Sequence, residues 1–270
     1  MDETIELSRR NILALSALAG GISLATPAVA QFKLGKALGA VGDLAKAESI
    51  SDSDLKLQFD AVAADSDRQN PVAPASSPYG KRISALSKGL QTHDGLNLDI
   101  KAYLVRDVNA FAMGNGTIRV FAGLMDQFTD DEVRYVIGHE IGHVKNGHSK
   151  KRMQTALRAS ALQKGVGAAG GGIGRIASGE LGQLFTKVVT AQHSQANEKE
   201  ADDYAMAFMK SKNYQQMACV TALDKLTAMS GGSGGGLPWL QTHPSPAERS
   251  KRMRTQLAAW GVPGALEALA

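Results

Sequence analysis

His139-Glu140-Ile141-Gly142-His143 is the stretch whose residue types and spacing could do chemistry. Two histidines four positions apart lie one above the other on a helix face, about 6 Å apart along its axis, so both rings can reach one metal ion. Glu140, beside the first histidine, can approach a water on that ion. His-Glu-x-x-His on a helix is the pattern of zinc-assisted peptide hydrolysis, with the metal as Lewis acid and the glutamate as base. So short a pattern also arises by chance, with both histidines satisfied on an ordinary helix. The elements around it therefore decide.

The helix that must carry these residues is clearly written. Thr129-Asp130-Asp131-Glu132 makes a capping box with acid in the first turn, where the helix dipole favours it. Val133, Val136, Ile137, Ile141 and Val144 form an apolar face, which leaves the histidines on a side of their own. Gly138 and Gly142 interrupt the helix at roughly 1 kcal/mol each relative to alanine. That cost implies close approach of another backbone.

A catalytic zinc site keeps three protein ligands and leaves a fourth position open. His148 misses the extended spacing, since Asn146 and Ser149 stand where a glycine and a histidine are needed. It reads as a helix-end residue or one supporting a ligand. His93, His193, His243 and the acids remain, all on separate elements. Glu198 is the strongest candidate, because it opens a predicted helix that carries Asp202 one turn later on the same face. One carboxylate can ligate while the other accepts the second ring N–H of a ligand histidine. Glu200 points elsewhere on that helix, and a solvated acidic first turn is the competing reading. His243 follows the Gly/Ser stretch 230–236 and precedes Pro244 and a helix bearing Arg249 and Arg252. On such a segment it could swing to the open metal position and displace the water, or donate to the oxyanion, with Arg249 sharing the second role. A surface histidine beside a proline is the plain alternative.

The rest of the chain must position these groups. At 270 residues with 43% hydrophobic content it can bury a sizeable core. The formal charge of +4 is spread among scattered Lys and Arg with 5% aromatics, which excludes a nucleic-acid footprint. The single Cys219 excludes an internal disulfide and a multi-cysteine metal cluster. Ser8-Arg9-Arg10, a short apolar run from Ile12 to Ala25 and Ala28-Val29-Ala30 predict a twin-arginine-like signal peptide over 1–30, hence a periplasmic chain. Residues 31–75 read as a leader with a helix from 51 to about 64, and a loop follows to 78. Another helix is expected over about 77–91.

Leu96 to Val105 and Thr117 to Phe121 read as two strands of a hairpin around Asn115-Gly116. Thr117, Ile118, Arg119, Val120 and Phe121 are the expected edge on which a peptide substrate is held by main-chain hydrogen bonds, against the alternative of a plain structural hairpin. A helix from His148 toward Leu162, a glycine-rich insertion over 167–174, a helix capped by Ser194 with Ala201, Ala205, Phe208 and Met209 facing inward, and a last basic helix from about Pro246 complete the prediction. Arg158, Lys164 and Arg175 break the apolarity of the insertion, which argues against a membrane span.

In order and combination, these pieces resemble a known family. Asp107 to Met113, Ile118-Arg119-Val120 with Gly123-Leu124-Met125-Asp126, His139 to His148, Glu198 to Asp203, and His243-Pro244 with Arg249 are similar to the gluzincin metalloproteases grouped with HtpX and the Ste-type prenyl proteases, nearest their exported LoiP-like bacterial branch. The resemblance covers roughly residues 51–252. It implies His139, His143 and Glu198 as zinc ligands, Glu140 as catalytic base and Asp202 as the partner of a ligand histidine. LoiP-like relatives are lipoproteins, and this chain has no cysteine for lipidation after its signal.

The expected fold is α+β, a mostly helical zincin-like metallopeptidase domain over 76–270 with a small β-sheet beside the His-Glu-x-x-His helix. The expected function is a metalloendopeptidase with one Zn2+ per chain, hydrolysing misfolded or misassembled envelope proteins. Its expected partners are protein or peptide substrates and envelope or outer-membrane assembly proteins. A chaperone-like assembly factor with a structural or regulatory zinc is the alternative, and Glu140 discriminates, since a structural site has no use for a base.

Overall fold

The computed structural model describes residues 52–163, 184, 187–188, 191–231 and 237–265. The signal peptide, the leader up to residue 51, the 167–174 insertion and most of the Gly/Ser stretch lie outside them. Among the described residues, no helix is long and apolar enough to cross a membrane. The fold is α+β and mostly helical, as expected, with a small sheet against the metal-motif helix.

Two helices lead in, α1 (Asp52–Gln69) and α2 (Pro78–Leu86). α1 continues past the predicted end at Ala64. Its polar last turn is held by Asp67, which accepts two hydrogen bonds from the buried Arg119 at 2.8 and 2.9 Å. α2 is capped by the Ser77 hydroxyl and stops at Leu86, short of the predicted Gln91, before the left-handed Gly89 at φ +78°.

The predicted strand over Leu96–Val105 divides. β1 (Thr92–His93) and β2 (Leu96–Asn97) form a hairpin about Asp94-Gly95, both at positive φ, and β3 (Asp99–Tyr103) joins the main sheet. That sheet has the order β3-β5-β4, with β4 (Ala110–Ala112) antiparallel and β3 parallel to β5 (Thr117–Phe121). The hairpin about Asn115-Gly116 therefore joins β4 to β5. Gly116 sits at φ +92°, where a Cβ would fall 2.0 Å from the Asn97 carbonyl oxygen.

This order corrects the expected substrate strand. Thr117, Ile118, Arg119, Val120 and Phe121 are all buried in the centre of the sheet, with ladder hydrogen bonds committed on both sides. The Arg119 guanidinium is committed to Asp67 and to the carbonyl and carboxylate of Asp99. Among the described residues the edge beside α4 is β4, where Asn109 Oδ1 accepts from the Ala110 N–H and the Ala112 carbonyl accepts from Ser149.

α3 (Ala122–Gln127) turns the chain into α4 (Asp130–Lys145), which opens with the predicted capping box between Thr129 and Glu132. Glu132 also accepts from Thr221 at 2.7 Å and Lys225 at 2.6 Å, which ties the start of α4 to α7 (Ala218–Ser230). α5 (His148–Gln163) follows α4, and α6 (Gln195–Ser211), capped by Ser194, lies across it. The α4–α6 crossing explains both glycines. A Cβ on Gly138 would stand 2.7 Å from the Phe208 ring, and one on Gly142 would stand 2.9 Å from the Ala201 Cα. α8 (Pro238–Thr242) brings the buried Trp239 into the core, and α9 (Pro246–Ala259) packs on α7 and α6.

Candidate metal centre

The α4–α6 crossing brings the chemistry-bearing residues together. His139 and His143 lie on one face of α4 and are fully buried, as are Glu140 beside them and Glu198 and Asp202 on α6. His243, at the end of α8, and Arg249, on α9, join them. His93 stays outside, packed edge-on against Phe208 at 5.6 Å.

Four side chains converge. His139 Nε2 lies 3.1 Å from His143 Nε2, 3.5 Å from Glu198 Oε2 and 3.3 Å from His243 Nδ1. Glu198 Oε1 lies 3.4 Å from His143 Nε2 and 3.1 Å from His243 Nδ1. Ligands on a tetrahedral zinc at 2.0 to 2.1 Å are about 3.3 Å apart along each edge. These separations lie near that edge, and the cluster offers nitrogen and carboxylate donors of the kind zinc takes. Buried atoms around it support the same fit. Glu140 Oε1 and Glu198 Oε2 have no hydrogen-bond partner among the described residues. Arg249 Nη1 lies 2.5 Å from Glu198 Oε2, but as a charge contact outside hydrogen-bond geometry. Of the three buried carboxyl groups here, Glu140, Glu198 and Asp202, the last two contact the buried Arg249 guanidinium. Such a pocket suits a cation. The residues present fit zinc.

Around these donors, each group has a physical holder. Asp202 Oδ1 is 2.9 Å from His139 Nδ1 and accepts from the Tyr135 hydroxyl at 3.0 Å. Arg249 donates to both Asp202 oxygens, at 2.9 and 2.7 Å. Burial opposes ionisation of Asp202, but Arg249 and His139 outweigh it and hold the carboxyl below its ordinary range. Glu198 is likewise lowered, burial being outweighed by His243 and Arg249. For His139, burial and Arg249 favour the neutral ring, yet the bonds to Asp202 and Glu198 lift it to about 9. Burial keeps His143 well below the usual imidazole range.

This placement changes the reading of Arg249. The oxyanion-donor role expected for it conflicts with a guanidinium turned toward Asp202, Glu198 and Tyr135 behind the cluster. Arg249 instead clamps the two carboxylates that α6 contributes. His243 stands at the cluster itself. Trp239 stacks on its ring at 4.4 Å and 22°, and the backbone bond from His193 N–H to the Thr242 carbonyl fixes the preceding residue. Two participants carry no motif and are missed in the sequence: Trp239, an aromatic four residues before His243, and Glu200, which pairs with His148 at 3.0 Å.

Comparison with known proteins agrees with this geometry. The family model described as peptidase family M48 matches residues 82–257. The chain is 39% identical to metalloprotease LoiP of Escherichia coli K12 over 218 residues, covering 80% of this chain and 86% of LoiP. It is 34% identical over 215 residues to metalloprotease YcaL of the same organism, covering 79% and 84% of the two chains. The E. coli β-barrel assembly-enhancing protease is 29% identical over 179 residues, covering 62% of this chain and 36% of that one.

Proposed function

The chain belongs to peptidase family M48 and is a metallopeptidase, and on that premise we propose that it is a zinc-dependent endopeptidase of the bacterial envelope that removes misfolded or misassembled proteins. The observation that carries the zinc reading is the buried cluster of donor atoms on His139, His143, Glu198 and His243. The envelope reading is supported by the twin-arginine-like start of the sequence. Similarity to a protease named for enhancing β-barrel assembly supports a role in quality control.

When bound, zinc supplies Lewis acidity to the scissile carbonyl and to the attacking water. His139, His143 and Glu198 hold it, and the carboxylate of Asp202 fixes the His139 ring so that Nε2 faces inward. Glu140 takes the proton from the attacking water and delivers it to the leaving amine nitrogen. Its Oε1, buried and without a hydrogen-bond partner among the described residues, is free for that transfer. The substrate lies extended along the edge of β4, where main-chain groups pair with it.

His243 regulates this arrangement. Its Nδ1 lies 3.3 Å from His139 Nε2 and 3.1 Å from Glu198 Oε1, so it would be a further donor to a zinc held there and would exclude the attacking water, and its Nε2 stands 3.5 Å from Glu140 Oε1. On this reading the arrangement is self-blocked, and activity requires α8 and His243 to withdraw.

Zinc content and casein cleavage of the wild type and of a double variant test the proposal. The wild type is expected to hold one zinc and lose cleavage on chelation, while Glu198→Ala combined with His243→Ala loses most of its zinc on dialysis, since the two histidines that remain bind weakly. Stoichiometric zinc in that double variant would place the third ligand elsewhere.

A further inference from the structure

We propose that His148 and Glu200 are positioning residues for His143, holding it by two successive hydrogen bonds that end at the protein surface. The proposal rests on the reading of His143 as a metal ligand. His143 turns Nε2 into the cluster, so a lone pair there requires its ring proton on Nδ1. That Nδ1 lies 2.8 Å from Nδ1 of His148, which must then accept and carry its own proton on Nε2. His148 Nε2 lies 3.0 Å from Glu200 Oε2, which accepts. Every proton in the series has one donor and one acceptor, and the series ends on a carboxylate.

The same histidines invite a different assignment, a second metal held by His143, His148 and His193. Two distances decide against it. The 2.8 Å between the Nδ1 atoms suits an N–H···N hydrogen bond and is well short of the tetrahedral edge of about 3.3 Å. Arg152 Nη2 lies 2.9 Å from His193 Nδ1, so a guanidinium donates where a second cation would need a ligand. His193 instead packs its ring against His143, with centroids 3.9 Å apart.

The two histidines of the motif are thus held differently. His139 rests directly on a buried carboxylate, Asp202, whereas His143 rests on an imidazole whose own carboxylate has a side chain 56% exposed. Polarisation through that series makes His143 a better donor and fixes the plane of its ring.

Zinc dissociation constants measured against a competing chromophoric chelator test this, together with visible spectra of the cobalt(II)-loaded protein. His148→Ala is expected to weaken zinc about 10- to 100-fold and shift the cobalt bands. His148→Asn, whose amide oxygen can accept from His143 Nδ1, should recover most of both. Glu200→Ala, at an exposed position that folding tolerates, should weaken zinc about threefold. Zinc affinity within twofold of wild type in His148→Ala, an asparagine variant as weak as the alanine one, or unchanged affinity in Glu200→Ala would each overturn the proposal. A wild type that binds neither metal would overturn the ligand reading of His143 and this proposal with it.

Discussion

The α4–α6 platform and the α8 segment contribute to the same cluster by opposite means. On the platform, two long helices cross at glycines, and Glu198 and Asp202 are fixed from behind by Arg249. His243 arrives on a helix of five residues, and the chain then passes through Ser245 at φ +58°, a left-handed conformation disfavoured for serine, before α9 begins. One side is built to hold three donors at fixed spacing. The other holds its donor by stacking against Trp239 and His193 and by backbone hydrogen bonds at Thr242 and His243. A site that must keep a metal yet open one position needs both kinds of support, and the contrast supports the proposal that His139, His143 and Glu198 are permanent donors and His243 a reversible one.

The sharpest way to break the comparison is on the platform. Gly142→Val places a Cβ 2.9 Å from the Ala201 backbone, so the helices must separate and carry Glu198 away from the histidines. We expect a stability loss of about 3 kcal/mol and loss of bound zinc together, read by denaturant unfolding and metal analysis. A variant with wild-type zinc content would mean that the crossing does not set the ligand spacing.

On the α8 side the expected effect is smaller and opposite in sign. If the unblocked form is about a tenth of the population, His243→Ala should raise casein cleavage about tenfold while zinc stays bound. A fall in cleavage would make His243 a donor to the transition state, and activity within twofold would leave it with neither role.

The smallest effect concerns the start of α4. Burial disfavours the charged form of Glu132, but Lys225 and the Thr129 and Thr221 hydrogen bonds outweigh it and hold its carboxyl below the ordinary value of 4.5. With the folded value the lower one, this stabilisation is complete above pH 4.5 and is lost as pH falls through the folded value. Glu132→Gln should therefore cost about 1 kcal/mol in urea unfolding at pH 7 and progressively less below pH 4.5. A pH-independent cost would trace the loss to packing.

The platform was far more legible in the sequence than α8. His139, Glu140 and His143 are readable because a helix repeats its faces at fixed spacing, and the capping box and two costly glycines announce both the start of α4 and the helix against it. Glu198 and Asp202 share the logic of one helical turn. The sheet is less legible. Strand composition identifies Thr117–Phe121, but strand order depends on long-range pairing, so composition does not separate the centre of the sheet from its edge. Asp94-Gly95 did carry a turn signal that divides the region 92–97 into a hairpin. For Trp239 and Glu200 only tertiary contact reveals a role, and Arg249 looks the same in sequence whether it clamps carboxylates or faces a substrate.

On the proposed function, Glu140 acts as a base beside a metal it does not hold. Glu140→Gln keeps the shape of the side chain and removes the base, so zinc stoichiometry and casein cleavage measured on the same preparation separate the two roles. The expected result is one zinc per chain, as in the wild type, with cleavage reduced about 100- to 10,000-fold. Cleavage at the wild-type rate, or loss of the zinc, would contradict it.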